Sequence, residues 1–196
     1  LHEIKYYNGK LAGTYNVLKN SDTIMSDEDG HGTHISGTIA EGTTSNVKIL
    51  PIKVSSNGTL YTSDIIAAIN YVVYNKSADV INMSFGSYYK AEALEQAIES
   101  AKEANIISVA AAGNNNTSRL HYPSGLDNTI SISSVDSELN KSSFSNYGSS
   151  ITFTAPGSGI KSIMSKDASI SIEDGNKDGD DDHETISGTS MATPHA

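Results

Sequence analysis

The chain has 196 residues, of which 37% are hydrophobic and 18% are charged, so it suits one domain with a buried core rather than a disordered chain. The formal charge is −10, and the segment 173–184 contributes −6 of it. The chain has one arginine and no basic stripe, which argues against nucleic-acid binding. The absence of cysteine excludes disulfides and a cysteine nucleophile, and no apolar run reaches the roughly 18 residues of a membrane span.

Short apolar runs alternate with helical patterns along the chain. The runs are rich in β-branched residues and end in turn-forming residues, which predicts strands at 47–54, 79–86, 106–113, 129–135 and 151–155. One predicted helix begins near Ser63 and places Ile65, Ile69, Val72 and Val73 on one face; a second covers 91–104.

This alternation predicts a single α/β domain over 1–196, with a mostly parallel sheet covered by helices on both faces. In such sheets the functional groups lie at the carboxyl ends of the strands. We therefore expect the turn after Ser84, the turn after Gly113 and the approach to Ser190 to lie near one another.

Three motifs could carry chemistry. In "DGHGTHISGTIA", His31 stands between glycines at a predicted helix start; in "VAAAGNNN", Asn114 follows an apolar strand and offers an amide donor; in "GTSMATP", Ser190 opens a predicted helix. Each motif taken alone also has a structural interpretation. His31 and Ser190 could belong to helix caps, and Asn114 to a polar turn.

Taken together and in this order, the motifs resemble those of the subtilisin-like serine proteases, the subtilases. The resemblance implies a three-layer subtilisin-like fold, with His31 as general base, Ser190 as nucleophile and Asn114 as oxyanion donor. "NMSFG" and "SNGTLYTS" resemble the two substrate-lining edges of the family. They imply that an extended peptide is bound by Ser84, Phe85 and Gly86 on one side and by Gly58 and Tyr61 on the other.

One element of the family pattern is missing. Subtilases carry the triad aspartate in an Asp-Ser/Thr-Gly motif well before the histidine, whereas Asp22, Asp27 and Asp29 lie close to His31 and lack that motif. We therefore expect residues 1–196 to be a partial domain without the N-terminal aspartate strand and the C-terminal end. Activity is then expected to need those flanking segments, or a propeptide, as partners.

The acidic segment resembles the first nine positions of a calcium-binding loop, D-x-N-x-D-G-D-x-D. The candidate ligands are Asp174, Asn176, Asp178, Asp180 and Asp182. The twelfth position is Thr185, with Glu184 beside it, where such loops have a glutamate. The alternative is a solvated acidic loop that binds no metal. No organic cofactor is expected.

The favoured function is that of a serine endopeptidase that is secreted or on the cell surface, is bacterial, and acts on polypeptides. The rival function is a non-catalytic subtilase-like scaffold that binds calcium or a partner protein. The first hypothesis is favoured because nucleophile, base and oxyanion donor are all present, which a decayed site has no chemical reason to retain.

Overall fold

The computed structural model describes residues 7, 9–23, 26–56, 58–165 and 183–196. The helices are α1 His31–Gly42, α2 Thr62–Asn75, α3 Glu92–Glu103 and α4 Thr189–Ala192. The strands are β1 Tyr15–Asn16, β2 Ile52–Lys53, β3 Ser55–Ser56, β4 Thr59–Leu60, β5 Val80–Met83, β6 Ile107–Ala111, β7 Thr129–Val135, β8 Phe153–Pro156, β9 Ile160–Ile163 and β10 His183–Ile186.

The chain forms two compact units. The first unit comprises Leu1–Asp64 and Lys161–Ile186, and the second comprises Ile65–Ile160 and Ser187–Ala196.

The second unit is built on a four-stranded parallel sheet of order β5-β6-β7-β8. Both faces of its centre are covered, since four of the five residues of β6 and six of the seven of β7 are buried. On one face Val109, Ile132 and Ala155 pack with Ala192 of α4. The prediction of an α/β fold with a mostly parallel sheet is confirmed.

Helix α3 joins β5 to β6 and follows its predicted periodicity. Leu94, Ala97, Ile98 and Ala101 are buried, at the spacing that puts side chains on one face of a helix. Its observed bounds lie within one residue of the predicted 91–104. Helix α2 likewise starts one residue before Ser63 and buries three of its four predicted apolar positions.

The first unit contains only short strand pairs among the residues described. Strands β1 and β2 are parallel, β3 and β4 form an antiparallel hairpin, and β9 pairs with β10. Its core contains Tyr7, Ala40, Ile49 and Ile163.

The predicted strand at 47–54 is wrong over most of its length. Ile49 makes an isolated parallel bridge to Leu11, and only Ile52–Lys53 forms a regular strand. Pro51 lies between these two pairings and has no N–H to donate, so the ladder is interrupted there. Strands β9 and β10 were not predicted, and β10 begins within the acidic segment.

No helix within the described ranges has the length and apolar character that crossing a membrane requires.

Candidate active site

Ser190 is the second residue of the short helix α4 in the second unit. Its Oγ donates a hydrogen bond to the carbonyl oxygen of Ser84 at 2.9 Å. The Ser84 Oγ in turn donates to the Ser190 carbonyl at 2.7 Å. Since Ser84 directly follows β5, this reciprocal pair fixes the start of α4 at the carboxyl end of that strand.

Asn114 is joined to the same helix start through Thr189. The backbone N–H and the Oγ1–H of Thr189 both donate to the Asn114 Oδ1, each at 2.8 Å. The Thr189 Oγ1 also accepts a hydrogen bond from the Gly113 N–H at 3.1 Å. The expectation that the turns after Ser84 and Gly113 lie near Ser190 is therefore confirmed within this unit.

These bonds decide which way the Asn114 amide points. Because two donors of Thr189 meet its oxygen, the oxygen must be the atom turned towards α4. The Nδ2 protons are then what Asn114 can offer to an incoming oxygen atom. The groups that meet here are neutral hydroxyls and amides, and such oriented donors stabilise a negative charge that develops beside them.

His31 is the first residue of α1 in the first unit. The helix is preceded by Gly30, whose φ of 85° is in the left-handed region that favours glycine. Asp27 caps the helix: its Oδ1 accepts from Gly30 N at 3.1 Å, and its Oδ2 accepts from Thr33 N at 2.8 Å and from Thr33 Oγ1 at 2.6 Å. Both carboxylate oxygens of Asp27 are therefore engaged at the helix start.

The electrostatic surroundings of His31 act in two directions. Burial of the ring lowers the pKa of His31, whereas the charges of Asp29 and Asp27 raise it. The net pKa lies below the usual histidine value, so the ring is mainly neutral at pH 7 and able to accept a proton.

The loop before α1 is held by an ion pair. Lys53 Nζ lies 2.7 Å from Glu28 Oε2 and donates to the Ser26 carbonyl at 2.9 Å. Hydrogen bonds from Lys53 and Ser26 lower the pKa of Glu28 to about 2, so this carboxylate is ionised at neutral pH. The pair anchors the loop that carries Asp27 and Asp29.

The predicted substrate-lining residues are divided between the units. Gly58, with φ of 73°, and Tyr61, which is 64% exposed, belong to the first unit. Ser84, Phe85 and Gly86 follow β5 in the second unit. A Cβ on Gly86 would come within 2.5 Å of His121 Cε1 and would also meet the Tyr122 carbonyl, so this position has no room for a side chain.

All five candidate calcium ligands, Asp174 to Asp182, lie outside the described residues, so calcium binding stays a prediction. The last positions of the loop pattern, Glu184 and Thr185, belong to β10, and the Glu184 carbonyl lies 3.1 Å from His34 Nε2. Within the described part of the chain, no group of three or more His, Cys, Asp or Glu side chains could hold a metal ion.

Sequence reasoning missed three residues at these sites: Thr189, Asp27 as a cap, and Asn146. Asp27 could have been found, because a carboxylate shortly before a predicted helix start is a capping signal. Thr189 donates to Asn114, 75 positions away, and the Asn146 Oδ1 accepts from the backbone N–H of Asn115, 31 positions away. No local pattern indicates such distant partners.

The chain belongs to the subtilase family, whose model matches residues 7–196. It is 37% identical over 195 residues to alkaline serine exoprotease A of Vibrio alginolyticus, a match covering 96% of this chain and 34% of that protein. It is 41% identical over 178 residues to subtilisin-like protease 2 of Pseudogymnoascus destructans, covering 86% of this chain and 41% of that protein.

The fold is also similar to a solved structure, that of a cold adapted subtilisin-like serine proteinase. The TM-score is 0.82 at 35% identity, over 97% of this chain and 66% of that one. The predicted subtilisin-like fold and the resemblance to subtilases are thereby confirmed. The chain spans about a third to two thirds of the length of these proteins.

Proposed function

We propose that the chain is the peptidase core of a serine endopeptidase that hydrolyses peptide bonds in polypeptides. Ser190 is the nucleophile and His31 the general base. The Asn114 Nδ2 and the Ser190 backbone N–H form the oxyanion hole. Membership of the subtilase family and the names of its relatives as serine proteases support this assignment.

In the acylation step, His31 takes the proton of the Ser190 hydroxyl as its oxygen attacks the peptide carbonyl carbon. The carbonyl oxygen becomes an oxyanion, which the two donors hold. The carbon–nitrogen bond then breaks, and His31 returns the proton to the leaving amine. The ester left on Ser190 is the acyl-enzyme.

In the deacylation step, His31 removes a proton from water, and the hydroxide attacks the ester carbonyl. The same donors hold the second oxyanion, and Ser190 leaves with the proton from His31. We propose that an aspartate upstream of Leu1 orients the imidazole, since both carboxylate oxygens of Asp27 are already bonded.

The observation that carries this proposal is the hydrogen bonding of Asn114 beside Ser190. The amide oxygen accepts from both donors of Thr189, so the Asn114 side chain is held in one orientation next to Ser190. The two hydrogen bonds from Thr189 turn the amide protons of Asn114 away from α4 and make them available to a substrate oxygen.

A fluorophosphonate probe tests the proposal, because it phosphonylates only an activated serine. The full-length protein is treated with the probe, digested and analysed by mass spectrometry for the modified residue. We expect a single adduct on Ser190 and loss of peptide hydrolysis by roughly 10⁶-fold in Ser190→Ala.

Ser187→Ala is the matched control, since Ser187 lies three residues away and its Oγ accepts a hydrogen bond from the loop N–H of Gly159 at 2.8 Å. This variant should retain labelling and hydrolysis. A folded protein that is neither labelled nor active would contradict the proposal and favour the non-catalytic scaffold.

We further propose that the enzyme acts outside the cell or on its surface and that a propeptide or flanking segment assists its folding. The bacterial source and the calcium loop at 174–182 also stay predictions. Isothermal titration calorimetry with calcium tests whether this loop binds the ion.

A further inference from the structure

Asn146 lies in the loop after β7 and is almost fully buried, with 2% of its surface exposed. Its side-chain amide bonds to the turn that carries Asn114. The Oδ1 accepts from the backbone N–H of Asn115 at 3.0 Å and of Thr117 at 3.3 Å, and the Nδ2 donates to the Ala112 carbonyl at 2.7 Å. These three partners stand on both sides of Asn114 in the chain.

The backbone of the turn is shaped to admit this amide. The Asn146 N–H donates to the Gly113 carbonyl at 2.9 Å. Gly113 has a φ of 101°, and a Cβ there would lie 2.5 Å from Asn146 Nδ2. A glycine directly before Asn114 is therefore required for Asn146 to reach the turn.

Tyr88 completes the hydrogen bonding of the Asn146 amide. Its hydroxyl accepts from the second Nδ2 proton at 3.1 Å and donates to the Asn115 Oδ1 at 2.8 Å. The ring is held from two sides: the Arg119 guanidinium lies 4.7 Å from its centroid, and the His121 ring meets it edge-on at 5.2 Å.

Asn146 is also linked to strand β7 of the parallel sheet through its neighbour Ser145. The Ser145 Oγ accepts from the N–H of Ser134, a fully buried residue of β7, at 2.9 Å and donates to the Asn146 carbonyl at 3.0 Å. The polar atoms of Asn146 are all paired, and such pairing holds a buried side chain in one geometry. The turn with Asn114 is thus tied, through Asn146 and Ser145, to the buried strand β7.

We propose that Asn146 is a positioning residue that fixes the oxyanion donor Asn114. The inference rests on the proposed function. Asn146 itself bonds to Ala112, Asn115, Thr117 and Tyr88 and acts on the reaction only by fixing the turn. Without its amide, two N–H groups and one carbonyl of that turn lose their partner, and the turn relaxes. A small displacement of Asn114 is enough to weaken the oxyanion hole.

The test is a double-mutant cycle measured on the full-length protein with a chromogenic peptide substrate. Asn146→Ala should lower kcat by roughly 10- to 100-fold with KM changed less than about threefold, because only transition-state stabilisation is lost. In the Asn114→Ala background the same substitution should lower kcat by less than about threefold, since the group that it positions is gone.

Ile98→Val is the control for general destabilisation, because Ile98 is a buried residue of α3 in the same unit. It should leave kcat unchanged. Tyr88→Phe removes only one hydroxyl and replaces Asn146→Ala in the cycle if that variant does not fold. It should lower kcat several-fold, again only when the Asn114 side chain is present.

The inference is overturned if Asn146→Ala lowers kcat equally with and without the Asn114 side chain. It is also overturned if Asn146→Ala leaves kcat unchanged. If Asn146→Ala does not fold, an unchanged kcat in Tyr88→Phe overturns the inference instead. In either case the wild type remains an active enzyme, so the proposed function stands. A wild type that is folded, unlabelled by fluorophosphonate and inactive overturns both.

Discussion

The helices α1 and α4 begin in the same way but are capped by different chemistry. Each is preceded by a glycine, Gly30 or Gly188, that has no side chain with which to cap the helix. At α1 the cap is the Asp27 carboxylate, a few residues upstream; at α4 it is the amide oxygen of Asn114, 75 residues from Thr189.

Under the proposed mechanism, the two helix starts carry residues with opposite electrostatic needs. His31 becomes positive when it accepts a proton, and the nearby carboxylates favour that form. Beside Ser190 the reaction would generate an oxyanion, which a carboxylate cap would repel. An amide gives the same hydrogen bond to Thr189 without the negative charge.

Among substitutions at the capping residues and at Asp29, that of Asn114 should have the largest effect, and it tests this comparison directly. Asn114→Ala should lower kcat roughly 100- to 1,000-fold, the usual loss for one oxyanion donor. Asn114→Asp should lower kcat at least as much although it can still accept from Thr189, because its charge opposes the oxyanion. Both values of kcat are measured by steady-state kinetics, and thermal unfolding is the control for stability. An active Asn114→Asp enzyme would show that the charge is unimportant.

Substitution of Asp27 should have a moderate effect on stability. Asp27→Ala removes the acceptor for Gly30 N and Thr33 N and should cost about 1 kcal/mol in the free energy of unfolding. Asp27→Asn keeps one acceptor oxygen and should cost less. Urea denaturation at pH 7 measures the two values, and equal losses would mean that charge, not hydrogen bonding, is what Asp27 contributes.

Substitution of Asp29 should have the smallest effect, a shift in pH dependence. The charge of Asp29 raises the pKa of His31, so Asp29→Asn should lower that pKa further. Because the base must be neutral to act, the acid limb of the profile of kcat/KM against pH should move to lower pH. Asp22→Asn is the control and should leave the profile in place; a shift to higher pH in Asp29→Asn would contradict the assignment.

Much of the fold could be predicted from local pattern. The bounds of α3 and β7 follow from apolar periodicity, and parallel strands explain why Ser84, Gly113 and Ser190 meet at one edge. The prediction failed at 47–54, where Pro51 interrupts pairing, and it did not find β9 and β10. The pairs β1–β2 and β9–β10 join segments that are distant in sequence, and periodicity does not reveal such partners.

By itself, the sequence determined the order of the motifs, the family and the residue types available for chemistry, because these depend only on which residues follow one another. The tertiary structure alone decided which atom of the Asn114 amide points outward and which buried side chain supports its turn. Those features depend on Thr189 and Asn146, whose hydrogen bonds to the turn exist only after distant segments have packed together.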